Sequence, residues 1–477
     1  MRITKMTKHM KKIYLLSVIA VTASFAATAQ MRTSYFMEGS TFRTDMNPAL
    51  APTRGYINFP ALGGIGVSMN NNWLSVRNFL YPTDNGTVTF LNSAVDKKAF
   101  LKKLPNKNTL DFDTSVNILG FGAHADRYFW SFGLNLRAQA NATIPKEFFS
   151  LITTLGQGRY DMKKMNLGID SYLEMYVGAA IPVNDFITAG FRVKGLIGLA
   201  QANMTVDQMY ADVNDKFVEA RLSGKLRGNC ILTRYGESSV GSEFPADELF
   251  GNENIPTNIK SGGAAVDLGV EVRLLDDHLR VSAAATDLGF ICWHKSTTFN
   301  ADANGSFYYA GYDFDKGKID STSEDFGFTV TEPEGEYTKR LNMSLNFGAE
   351  YAILHNRISF GLLSHTKIGT GFAYTELTAS ANFKPVNWFT ATVSHTFLNH
   401  NRLGVFGFAL NIHPRALNLF IGADFIDCKF AKYDNAPIPV NMKSMNVYFG
   451  FGFSLGRAKY SKAYMDDVVA GIVKVKK

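Results

Sequence analysis

Charged side chains in this chain recur two residues apart within largely apolar stretches: Asp111 with Asp113, Arg192 with Lys194, Glu271 with Arg273. In an extended strand that spacing sets both members of a pair on one face. Arg137, Asp170, Glu174, Asp267, Arg280, Glu350 and Glu376 hold equivalent places in similar stretches. Such a set can form an ion-pair network that fixes a structural element, or it can line a polar path for a solute. Catalysis is not suggested. His124, His294, His365, His395 and His413 are scattered, and no nucleophile elbow, zinc-ligand pair or paired-carboxylate motif accompanies them. Gly63-Gly64-Ile65-Gly66 and Gly369-Thr370-Gly371 match no phosphate loop. Cys230, Cys292 and Cys428 are too widely spaced for a metal site; they read as small buried apolar residues, with one disulfide at most. The expectation is a non-enzyme with no cofactor.

The elements that must position these charges are strands. Tyr128, Trp130, Phe132, Leu134 and Leu136 alternate with Ser131, Gly133, Asn135 and Arg137. The same grammar recurs in Leu173–Ile181 around Glu174, in Ile187–Ile197 around Arg192 and Lys194, and in Val266–Leu274 around Glu271 and Arg273. Leu341–Ala349 and Val447–Leu455 repeat it. Each stretch presents an apolar face and a polar one. A soluble sandwich also alternates. However, many of these strands run for ten or more residues, whereas globular strands average about five or six and a strand tilted across a bilayer needs about nine to eleven. Inward glycines such as Gly133, Gly178, Gly269, Gly348, Gly450 and Gly452 suit close backbone approach or strand bending.

Connections alternate between short and long. Short turns fall at Ala125–Arg127, Pro182–Asp185, Leu275–His278, His355–Arg357, Lys384–Asn387 and His413–Ala416. Long excursions fall near 71–108, 141–164, 207–261, 299–338 and 429–441, with shorter outer turns near 368–372 and 399–402. The pattern predicts an all-β fold, a transmembrane antiparallel β-barrel of about fourteen strands over 56–456. A further β-like stretch, 216–235, would make the count odd and is assigned to an external hairpin or lid. Helices are expected in the loops at Asp96–Leu104 and at Lys146–Gln157, the second just after Pro145. Tyr128, Trp130, Tyr351 and Trp388 sit near strand ends, where aromatic girdles belong.

Residues 1–29 read as a cleaved secretory signal peptide, with five cations, an apolar run over Ile13–Ala27, and Ala27-Thr28-Ala29 as the small-residue site. Without those five cations the 49 Lys and Arg become 44 against 42 Asp and Glu. The basic balance is then gone, and with it any reason to expect nucleic acid. The expected location is the cell outer membrane. Outer-membrane lipid and the barrel-insertion machinery are the expected partners.

Between the leader and the first strand lies Asn47-Pro48-Ala49-Leu50-Ala51. A short N-terminal segment with an Asn-Pro-Ala start ahead of such a barrel resembles the FadL-like superfamily. That group includes long-chain fatty-acid transporters, PorV-type secretion-associated barrels and a related uncharacterised exported branch, to which the likeness is greatest. The resemblance implies that residues 30–55 fold inward as a hatch, with Asn47, Pro48 and Ala49 in the lumen near the periplasmic side. Asn tolerates unusual φ and Pro fixes it, which suits a tight turn there. Lumen candidates on the barrel are Arg137, Glu174, Arg192, Lys194, Glu271, Arg273 and Glu350. The implied function is a channel for hydrophobic or amphipathic small molecules. The alternative is a non-enzymatic interaction component of an envelope or secretion assembly, with envelope proteins as partners. Residues 457–477 extend past the last strand as a periplasmic tail.

Overall fold

The computed structural model describes residues 32–459 apart from 74, 84–85, 155–156, 164, 215–216, 232–258, 310–311, 314–317, 320–321, 332–334, 370–371, 399–400, 427–429, 434–435 and 440–443. The expected leader, most of the tail, Cys428, much of the 207–261 excursion and part of both shorter outer turns lie outside the described residues.

Fourteen antiparallel strands close into a barrel. They are β1 (Gly55–Asn58 and Ile65–Asn71), β2 (Lys107–Ala125), β3 (Tyr128–Pro145), β4 (Asn166–Pro182) and β5 (Ile187–Val213). Then follow β6 (Gly262–Leu274), β7 (Leu279–Trp293), β8 (Tyr337–Arg340 and Met343–Ile353), β9 (Ile358–Gly369) and β10 (Phe372–Val386). The set ends with β11 (Phe389–Leu398), β12 (Asn401–Ile412), β13 (Leu417–Ile426) and β14 (Ser444–Leu455). Both halves of β1 pair with β14, Ile57 opposite Phe453 and Val67 opposite Val447, which removes the open edge. Across the break in β1 the ladder stays satisfied: Phe59 N donates to Phe451 O at 3.0 Å, and Asn117 N donates to Gly64 O at 2.7 Å.

The alternation puts oil outside. Trp130, Met175, Val177, Phe347 and Phe360 are exposed, while Ser131, Asn135, Glu174, Asn346 and Glu350 on the intervening positions are buried. A water-soluble protein would have the reverse arrangement, so the medium around the wall is hydrocarbon. Tyr128, Trp130, Tyr351 and Trp388 all face outward near strand ends, as a girdle requires.

Short turns gather at one end, here called lower. Several use the left-handed backbone region, as at Asp126 (φ 53°) and Asn356 (φ 61°), residue types that tolerate it. A bulge at Asp287 (φ 61°) shifts the β6–β7 register between Val266 and Leu268. It exchanges the inward set of β7 from Ser282, Ala284 and Thr286 to Ile291 and Trp293.

At the upper end β5 outruns the wall. Its distal half pairs with the ribbon Val218–Cys230, which pairs in turn with Thr298–Tyr309 and then Thr322–Thr331. The described part of the 216–235 stretch, Val218–Cys230, therefore stands outside the barrel closure, as the even strand count demands. Helices occupy Lys97–Lys103, capped by Asp96, and Lys146–Thr154. Phe100 and Phe149 from these helices pack with Trp73 and Phe90 into an aromatic cluster beside the mouth.

Candidate functional site

Residues 32–54 run inside the barrel. Arg32, Thr33, Ser34, Tyr35, Met37, Arg43, Asn47 and Ala49 are all buried, although they precede the first strand. Their partners are wall residues hundreds of positions away. Tyr35 Oη lies 3.0 Å from Ser282 Oγ, Asn346 Nδ2 donates to Met46 O at 2.8 Å, and Arg32 pairs with Glu376 at 2.5 Å. Apolar anchoring comes from Tyr35, Phe36, Met46 and Leu50 against Leu363, and from Met37 and Phe42 against Phe420 and Tyr448.

The Asn-Pro-Ala turn rests on two glycines. Gly190 of β5 and Gly269 of β6 are direct cross-strand partners. A Cβ at Gly190 would lie 2.5 Å from Ala49 Cα, and one at Gly269 would lie 2.9 Å from Pro48 Cδ. Only glycine leaves room there for the segment, its backbone at Gly190 and the Asn47 and Pro48 side chains at Gly269. Asn47 Oδ1 accepts from Ala49 N at 2.9 Å, and its Nδ2 donates to Tyr35 Oη at 3.3 Å and to Val270 O and Ala283 O at 3.4 Å. Its backbone is extended (φ −156°), so Asn serves here through its side chain and not, as the sequence suggested, through tolerance of unusual φ.

Four of the predicted lumen charges meet in one belt across β3 to β7. Glu174 accepts from Arg137 Nη2 at 3.2 Å and pairs with Lys194 at 3.4 Å. Lys194 also reaches Asp267 at 2.9 Å and Asp287 at 2.6 Å. Arg192 completes the belt by donating to Asp45 of the N-terminal segment at 2.7 Å and lying over the Tyr176 ring at 3.9 Å. Asn58, Asn117 and Asn135 extend the belt toward β1, Asn58 Nδ2 donating to Asn117 Oδ1 at 2.9 Å and Asn117 Nδ2 to Asn135 Oδ1 at 2.8 Å, and Asn135 donates to Glu174 at 2.9 Å. Every charge in the belt has an opposite partner, as burial demands.

Glu350 belongs to a second knot at the lower end. Arg280 pairs with Glu350 at 3.3 Å and with Glu38 of the segment; Lys384 lies 3.6 Å from Glu350 and 3.7 Å from Glu38. Asn356 Nδ2 donates to Glu38 at 3.1 Å. Burial works against the Glu38 charge, but Arg280, Lys384 and Arg43 outweigh it and hold the carboxyl well below the usual carboxylate range. Glu271 and Arg273 form their own pair at 2.7 Å, separate from the belt. A third knot joins Lys367 to Asp111 at 3.0 Å and to Asp113.

Sequence reasoning found the wall charges but missed Arg32, Glu38 and Asp45, which bind the segment to them. The available signal was five charged residues, these three with Arg43 and Arg54, inside a stretch assigned to the lumen. Cys230 and Cys292 are half-buried, less enclosed than expected. Among the described residues no group of three or more His, Cys, Asp or Glu could hold a metal ion.

About 60 Å³ remains beside the segment, between Phe42, Asp45 and Met46 and the wall. Above it the lumen widens into a vestibule of about 960 Å³. Tyr337, which lines that vestibule, packs together with Leu341 against an apolar cluster of Tyr172, Leu196, Ile291 and Trp293.

Among solved structures the chain is similar to the Ralstonia pickettii toluene transporter TbuX, with 8% identity and a TM-score of 0.41 over 86% of this chain and 92% of that one. It is similar to the TodX monoaromatic hydrocarbon channel in a ΔS2 mutant form, with 9% identity and a TM-score of 0.41 over 87% and 93%. A Pseudomonas aeruginosa FadL homologue gives 10% identity and a TM-score of 0.28 over 91% and 97%. No curated protein matches the chain in sequence. Residues 48–424, from the Asn-Pro-Ala turn to the end of the wall's thirteenth strand, match a family described as a family of unknown function (DUF5723), and the chain belongs to that family.

Proposed function

We propose that this barrel is an outer-membrane channel for an amphipathic small molecule, with residues 32–54 acting as a hatch that closes the lower lumen. One observation carries the reading: a segment seated on glycines and ion pairs lies beneath an open vestibule of about 960 Å³. A vestibule over a fitted obstruction is the layout of a gated path, whereas a purely structural barrel has no need of an internal void. Between the two ligand types suggested by the sequence, the amphipathic one fits better. The vestibule lining combines polar side chains such as Asn141 and Asn203 with apolar surface from residues such as Leu110, Tyr337 and Tyr374.

The test is ion conductance and uptake of a fluorescent short-chain alkyl carboxylate in proteoliposomes, comparing the full chain with a variant lacking residues 32–54. The variant should conduct continuously and admit the probe, while the full chain stays closed to ions. Equal conductance from both would overturn the hatch. Exclusion of the probe by both would overturn the channel.

The alternative, an interaction component of an envelope assembly, has one observation in its favour. The sheet built on the distal half of β5 projects beyond the barrel and serves no closure. Gentle extraction should then recover a defined complex that is lost when Val218–Cys230 is removed; a monomeric particle throughout counts against it.

A further inference from the structure

A throat joins the vestibule to the space beside the N-terminal segment. The vestibule of about 960 Å³ shares Asp170, Lys339 and Asn342 with a void of about 10 Å³. That void in turn shares Gln139 and Asn342 with the lower space of about 60 Å³. A volume of about 10 Å³ holds about one water. The lumen is therefore narrowest at the level of Gln139 and Asn342.

It narrows there because side chains meet across the lumen. Lys367 of β9 donates to Asp111 of β2 at 3.0 Å and also pairs with Asp113. In a ring of fourteen strands, β2 and β9 stand directly opposite each other. Asn342, in the break of β8, donates through Nδ2 to Gln139 Oε1 of β3 at 2.7 Å. Lys339 of β8 donates to Asp170 of β4 at 2.7 Å. Strand pairing already closes the wall, so the effect of these links is to constrict what it encloses.

Charge at the constriction leans one way. Lys339 and Asp170 balance on the vestibule side, but Asp111 and Asp113 converge on one ammonium, that of Lys367. Both carboxylates are also more open than Lys367. Below them Asp45 and Asp287 line the lower space and are 32% and 19% exposed, whereas their partners Arg192 and Lys194 are 0% and 1%. Arg137 lines the same space with its guanidinium held by Glu174 at 3.2 Å. The accessible charge is thus mostly carboxylate. A narrow passage of that kind, between low-dielectric walls, concentrates cations and repels anions.

We infer that this throat is the selectivity constriction of the lumen, admitting cationic head groups in preference to anionic ones of equal size. The inference rests on the channel reading, and it assigns the sorting of the solute to Asp111, Asp113, Gln139, Asn342 and Lys367. The preference is one of rate: an alkyl carboxylate still crosses, more slowly than the matching alkylammonium.

The test labels single engineered cysteines in the full chain, held in lipid nanodiscs, with Cys230, Cys292 and Cys428 replaced by serine. S115C reports from the lower space and N141C from the vestibule. The probes are methanethiosulfonates carrying an ethylammonium, an ethyltrimethylammonium or an ethylsulfonate group. Each rate at S115C is divided by the rate of the same reagent at N141C, which removes differences in intrinsic reactivity. So normalised, the ammonium reagent should exceed the sulfonate by at least about tenfold. D111N/D113N should abolish or reverse that ratio. N342A should accelerate the trimethylammonium reagent most, because it is the bulkiest. Retained heat-modifiable electrophoretic mobility shows that each variant folds, and the ratio in the parent decides the matter if a variant does not. Equal normalised rates for the two signs overturn the inference. Rates at S115C that ignore both D111N/D113N and N342A, or no labelling there by any reagent, overturn it as well. The hatch and the channel stand or fall separately, on the conductance comparison.

Discussion

Replacing Gly190 with valine should unseat the N-terminal segment, the proposed hatch, without damaging the barrel. The new Cβ would overlap Ala49 N and Pro48 C and begin 2.5 Å from Ala49 Cα, where ordinary contact starts at 3.4 Å, so the Pro48–Ala49 backbone must retreat by more than 0.9 Å. Asn47 cannot follow that shift and keep its bonds, since its Nδ2 already reaches Val270 O and Ala283 O at 3.4 Å. Overpacking of this kind costs about 1–3 kcal/mol, which changes the ratio of seated to unseated hatch by about 5–150-fold. Gly195 of the same strand supplies the control, because a Cβ there meets nothing within 4 Å. Single-channel recording in planar bilayers reads the open probability directly. It should rise within that range for Gly190→Val and stay at the parent level for Gly195→Val. Equal open probabilities in two equally folded variants would refute the idea that the Asn-Pro-Ala seat controls the lumen.

Three further outcomes follow from the charges and the lipid face. Glu38 has its carboxyl depressed in the folded state, so its contribution is complete above the ordinary carboxylate range and is lost only as pH falls through the lower folded value. The closed state should therefore hold from about pH 7 to about pH 5, whereas Glu38→Gln should raise conductance already at neutral pH; steep opening of the parent protein in that window would contradict the clamp. Lys194→Met takes a cation from Glu174, Asp267 and Asp287, leaving Glu174 to Arg137 and Asp267 to the more distant Arg192. It should destabilise the barrel by about 3–5 kcal/mol, read as a lower temperature for loss of the folded electrophoretic form, with partial recovery on adding Glu174→Gln. Phe347, 56% exposed on the wall, should resist Arg at about 2–4 kcal/mol if it faces mid-bilayer; an unchanged yield of folded protein in vesicles would argue against hydrocarbon at that surface.

The wall was legible because its information is local. Alternation in Tyr128–Leu136 or Val447–Leu455 states which face each residue takes, and a hydrocarbon exterior enforces that pattern at almost every position. Both loop helices were legible for a similar reason: Asp96 caps one, and Pro145 stands immediately before the other. What escaped was register detail. The Asp287 bulge depends on Lys194 and on Asp267, whose Oδ1 accepts the Asp287 amide at 2.7 Å, and nothing within β7 announces it. As a result, Ile291 and Trp293 turn inward against the parity of Ser282.

The site was half legible, and the missing half lies in pairings between distant segments. Arg192 and Lys194 could be assigned to the lumen from their spacing alone. That Arg192 holds Asp45 could not, because strand periodicity carries no information about a segment that is not a strand. The glycines are the instructive case. Gly269 was recognisable as inward and as a sign of close approach, yet what approaches it is fixed only once β5 and β6 are in register and Gly190 stands beside it. A shallow place in the wall and a Pro-Ala backbone that fills it are complementary shapes, and each is featureless without the other. Ion pairs add direction to that fit more than they add stability, since the cost of burying charge consumes most of what pairing returns. The seat is thus defined by shape at the Asn-Pro-Ala turn and by charge at Arg32, Glu38 and Asp45. A perturbation of shape and a perturbation of charge should for that reason open the same lumen independently.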